Sequence, residues 1–74
     1  MTHEELDFIQ ATARADLAWI MPVTWIERLD AIQVYRHAED ALTGYLPEEV
    51  RDLRERGHVH MQWLRRARRG VRRG

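Results

Sequence analysis

The stretch LPEEVRDLRERGHVHMQWLRRARRGV, residues 46–71, decides the fold. Leu46, Val50, Leu53, Gly57, His60, Leu64, Ala67 and Val71 recur in it at a 4-3-4-3-4-3-4 spacing. That spacing is a helical seam with two alternating core positions. Pro47 suits the first helical position, where its missing N–H goes unused, and Glu48 and Glu49 follow where the helix dipole favours acids. Gly57 and His60 weaken the middle of the seam. A glycine inside a helix costs about 1 kcal/mol relative to alanine. The pattern therefore predicts a third helix that bends at Gly57 or divides there into two.

Two more helices lie upstream. Thr2 with Glu5 fits a capping box, and Leu6, Ile9, Ala13, Leu17 and Ile20 make one face of a first helix, widened by Phe8 and Trp19. Pro22 disfavours helical geometry at Met21 and closes it. Thr24 with Glu27 opens a second helix, predicted over residues 24–43 with Gly44 as its left-handed cap. This helix has two apolar stripes. Trp25, Leu29, Ile32, Tyr35 and Leu42 make one, and Ala31, Val34, Ala38, Ala41 and Tyr45 make the other. A helix apolar on so wide an arc is flanked on two sides. It is then the middle helix of a bundle, or it also meets another chain.

No segment alternates as a strand does. The expected fold is all-α: an antiparallel hairpin of two helices with a third packed along it, as a monomer or a homodimer. A dimer would use the third helix or the alanine stripe. Residues 1–64 form the helical domain and residues 65–74 an Arg-rich extension.

Length and composition narrow the function. Seventy-four residues without cysteine exclude a multi-domain enzyme and a disulfide scaffold. Hydrophobic residues at 45% are too many for wholesale disorder. Net charge is zero, yet residues 1–49 hold ten acids against three arginines, and residues 50–74 hold nine arginines against two acids. A −7/+7 split points to a partner for at least one half. Lysine is absent, which reads as the codon bias of a high-GC bacterium or its phage. The acidic N-terminus is no secretory signal, and the longest apolar run is far short of the roughly 20 residues of a membrane span. The expected location is the cytoplasm.

The strongest candidate for function is the C-terminal segment. Arg65, Arg66, Arg68, Arg69, Arg72 and Arg73 fall within about 160° of helical arc, opposite Leu64, Ala67 and Val71. Such a segment suits phosphate backbones, an acidic protein face or an anionic membrane. Its apolar side is thin for membrane insertion. A solvated tail and docking on the chain's own acidic half are the plainer readings. Trp25 reads as core. Trp19 and Trp63 lie beside their stripes, and with Met61 they are candidate partner contacts, because exposed tryptophan near arginine is enriched at interfaces.

Other motifs carry less. The turn at Gly44 has the outline of a helix-turn-helix, but Pro47-Glu48-Glu49 would place acids against phosphates where base reading should begin. It reads as an ordinary connection. His58 and His60, two apart on a helix, point in nearly opposite directions and cannot share a metal. Serine and cysteine are both absent, no glycine-rich phosphate loop exists, and so small a bundle leaves little room for a substrate pocket. Neither an enzyme, a cofactor nor a metal is expected. The leading expectation is a small helical interaction or regulatory protein that binds a protein partner or itself. The alternative is a nucleic-acid-binding protein that uses the Arg-rich segment with little sequence specificity.

Overall fold

The computed structural model describes residues 1–71, and side chains as far as Ala67. It contains three helices: α1 (His3–Ile20), α2 (Trp25–Asp40) and α3 (Pro47–Val71). They form a small bundle in which α1 packs against both α2 and α3.

The ends are set by local chemistry. Glu5 N donates to Thr2 Oγ1 (3.2 Å) and Thr2 N donates to Glu5 Oε1 (2.7 Å), a complete capping box. At α2, Glu27 N donates to Thr24 Oγ1 (3.2 Å), but the Glu27 carboxylate returns to the Thr24 hydroxyl (3.1 Å) rather than its backbone. Helix α2 ends at Asp40, three residues before the predicted end. Gly44 serves the following turn instead. Tyr45 N donates to Leu42 O (3.2 Å), and Gly44 between them has φ +87°, where a side chain would be strained.

The Thr2 N–H, donating to Glu5, holds that carboxyl below its ordinary pKa of 4.5. The folded value is the lower one. Its contribution is therefore complete above 4.5 and is lost as pH falls through the folded pKa. Acid is expected to fray the first turn of α1 below pH 4.5, read as faster amide exchange at Glu5 and Leu6. Glu5→Gln, which still accepts the bond but does not titrate there, is expected to remove that pH dependence.

The arrangement corrects the expected order of packing. The middle helix is α1, and the reason lies in its small residues. Ala11, Ala13 and Ala18 are buried with Phe8, Ile9 and Thr12, so neighbours approach closely on two sides. Phe8 is wholly buried, with its ring 5.4 Å from that of Tyr35 on α2 and beneath Arg54 of α3. Ile9, Leu42 and Leu53 complete the core, edged by Tyr35, Ala38, Tyr45 and Val50. Leu6 and Ile20, expected on the buried face of α1, are exposed at its edge.

Helix α3 runs parallel to α1, as Thr2–Tyr45, Thr12–Gly57 and Asp16–His58 neighbours show. It is unbroken through Gly57. That glycine is buried against α1, and a Cβ there would stand 2.5 Å from Thr12 Cβ and 2.9 Å from Ile9 O. Close approach of the helices, not a bend, explains it. Leu53 and Gly57 are buried and Val50, His60 and Leu64 half-buried, so the expected seam is covered from Val50 to Leu64, but the buried residue beyond Gly57 is Met61, which the seam did not include. Leu46, at its start, and Ala67 are exposed, and the side chain of Val71, at its end, lies outside the described residues.

Helices α2 and α3 meet through polar atoms. Arg54 Nε donates to Tyr35 Oη (2.8 Å), and its Nη2 donates to Glu39 Oε2 (2.9 Å). The Tyr35 bond is the main cause raising the Arg54 pKa, and it keeps a fixed charge beside the Phe8 ring.

Candidate interaction site

Between α1 and α3 an open groove of about 430 Å³ is lined mainly by Met1, Leu6, Ile9, Val59, His60 and Trp63, with Arg56 at its edge. Helix periodicity makes it. Val59 and Trp63 are one turn apart on α3, and Leu6 and Ile9 are one turn apart on α1, so two apolar edges face each other across the seam. Trp63 is 62% exposed, and its indole stacks on the His60 ring at 6.3 Å. A second groove, about 460 Å³, lies between α1 and α2 with Glu4, Asp7, Arg14, Val34 and His37 among its walls. Room for grooves of this size was not expected of so small a bundle. Both are open troughs.

The predicted contacts separate into groups. Trp63 lies in the α1–α3 groove. Met61 is 8% exposed and packs in the interior beyond Gly57, so it offers no surface to a partner. Arg65 and Arg66 are exposed on the part of α3 that continues past the half-buried Leu64. Arg68 and Arg69 lie within α3, but their side chains, and all of Arg72 and Arg73, fall outside the described residues.

Trp19 sits apart from the groove, at the tip of the α1–α2 hairpin. The Arg28 guanidinium lies 5.4 Å from the Trp19 ring and 5.6 Å from the Trp25 ring, and Arg28 Nε donates to Ala18 O (2.9 Å). One arginine thus satisfies a carbonyl at the end of α1 and holds two indoles in place. Trp25 is not core as expected. It is 64% exposed, because α2 turns Ala31 toward α1, and of the stripe that Trp25 begins only Tyr35 and Leu42 reach the core, while Trp25 and Leu29 stay outside. That contact buries Ala31 of the alanine stripe and leaves Val34 and Ala41 exposed.

His58 bonds to Asp16, while His60 stacks on Trp63, so the two histidines serve different neighbours. Among the described residues no group of three or more His, Cys, Asp or Glu could hold a metal ion, and no helix is long and apolar enough to cross a membrane.

No protein-family model, curated protein or solved structure matches this chain.

Proposed function

We propose that the chain is a small, non-enzymatic interaction protein of the cytoplasm, and that it docks an acidic, amphipathic helix of a protein partner in the α1–α3 groove. The groove carries this reading. Its floor is apolar, with Leu6, Val59 and Trp63 all exposed to solvent, and its rim is basic at Arg56. Arg65 and Arg66 extend the positive charge along the same helix. A helix laid into such a trough buries apolar residues on the floor and pairs its acids with the rim.

A synthetic helical peptide with a leucine stripe and flanking glutamates is the test. Binding should shift the amide resonances of Leu6, Val59 and Trp63. Trp63→Ala should weaken it at least about 30-fold, as expected for a central aromatic anchor contributing about 2 kcal/mol or more. Shifts confined to Arg65 and Arg66 and indifferent to Trp63 would reject the groove.

The second reading, nonspecific nucleic-acid binding, is favoured by the helical continuation of α3 to Val71 with Arg65 and Arg66 exposed. Its affinity for a mixed-sequence duplex would fall with salt at a slope near −0.9 per phosphate neutralised, and Trp63→Ala would leave it nearly unchanged.

A further inference from the structure

The outward face of α2 carries apolar side chains that, apart from Arg28 against Trp25, no described residue covers. Trp25, Leu29, Ile32 and Arg36 follow one another at a 4-3-4 spacing, and Ile26 lies beside them. Ile26 is 80% exposed, Trp25 and Leu29 are more than half exposed, Arg36 is exposed, and Ile32 is half-buried. Two apolar stripes on one helix require either a middle position in the bundle or a second chain. The middle position belongs to α1, and α3 lies along α1 rather than over this face.

We propose that this face pairs with the same face of a second copy, the two α2 helices antiparallel about a two-fold axis passing near Asp30 and Ala31. The order of residues along the stripe selects both the occupant and the direction. In antiparallel register, Leu29 meets Ile32 of the second copy, and Ile32 meets its Leu29. These two apolar layers are closed at each end by Trp25 of one copy against Arg36 of the other. Arg28 already covers part of the Trp25 ring, and the second copy's Arg36 reaches the indole from across the interface. At the flanks, Ile26 faces Gln33 and Arg28 faces Tyr35, whose hydroxyl already accepts from an Arg54 that is paired with Glu39. A parallel pair would instead stack Arg36 on Arg36 and leave both indoles without a cation from the other chain. Self-complementarity of this kind is what a two-fold interface demands. A contact confined to one helix per copy lies near the lower end of stable interfaces, roughly 1,200 Å² in total, so half-association is expected in the micromolar range. The surface is separate from the Trp63 groove, and the two readings stand or fall independently.

The absence of cysteine makes the register directly testable in the full chain. Leu29→Cys and Ile32→Cys chains would be oxidised separately and as a mixture. The proposal expects the mixed 29–32 disulfide to form several-fold faster than either like pair. Sedimentation of the unaltered chain should show a concentration-dependent dimer, and Leu29→Glu should return it to monomer with its helical circular dichroism unchanged, because residue 29 is exposed in the single copy. Three results would overturn the proposal: like pairs cross-linking faster than the mixture, a monomer throughout the micromolar range, or a dimer indifferent to Leu29→Glu.

Discussion

Gly57→Ala is expected to lower the unfolding midpoint by about 10 °C, although alanine is the better helix former by about 1 kcal/mol. The sign follows from what the new methyl would meet. Thr12 Cβ at 2.5 Å, Thr12 Cγ2 at 2.7 Å and Ile9 O at 2.9 Å leave it no space. Two of these three atoms, a Cβ and a backbone oxygen, move only if α1 moves. Overpacking of this kind costs about 1–3 kcal/mol or more, and here it exceeds the propensity gain. The shift is large because in a domain of this size each 1 kcal/mol moves the midpoint by roughly 4–8 °C. A double-mutant cycle with Thr12→Gly separates clash from propensity. Thr12→Gly alone destabilises, by loss of packing and by glycine in a helix. Combined with Gly57→Ala it should be less damaging than the two changes added together, since the methyl then enters the space that Thr12 vacates. Thermal melts of the four proteins decide it. A midpoint for Gly57→Ala at or above that of the unaltered chain would mean that α1 and α3 do not approach as described.

Phe8→Ala should cost more. Among the described residues Phe8 is the one large hydrophobic side chain with no exposure, and it meets both other helices, at Tyr35 and Arg54. Truncating a buried phenylalanine costs about 3–5 kcal/mol. A 74-residue domain has on the order of 4–11 kcal/mol in all. The variant is therefore expected to lose about half of its stability, and its urea midpoint should fall accordingly. It also leaves the Arg54 guanidinium facing a void. Phe8→Leu refills most of the volume and should recover much of the loss. Equal midpoints for the two variants would show that the Phe8 site tolerates empty space.

The elements were legible where local chemistry decides them. Thr2, Thr24 and Pro47 mark all three helix starts, because a side-chain oxygen or a missing N–H acts within one turn. The choice of middle helix was not legible. Apolar counts favour α2, whereas packing favours the helix whose small residues admit two neighbours, and a count of apolar side chains ranks alanine and threonine too low. Gly57 was misread for a related reason. Its cost to the helix is local and visible, but its benefit lies opposite Thr12, 45 positions earlier in the chain. Of the groove, Trp63 was legible from its offset beside the stripe, whereas Trp19, singled out on the same ground, lies apart at the hairpin tip. Leu6 and Val59, which complete the groove, were missed because each reads as an ordinary apolar residue until α1 and α3 are set side by side. The interior position of Met61 was missed for the same reason.

The parallel seating of α3 on α1 has a consequence for biosynthesis. The contacts between α1 and α3 join residues made early to residues made late: in the interior Thr12 waits for Gly57, and at the surface Asp16 for His58. During translation the α1–α2 hairpin emerges first, with the side of Phe8, Ile9 and Thr12 that α3 will cover still open to water. Local helix pairing can start early, but the core cannot seal until the chain through Met61 has left the ribosome. A nascent chain halted at Gly44 would present that uncovered surface to any chaperone within reach, and one extended well past Met61 would withdraw it.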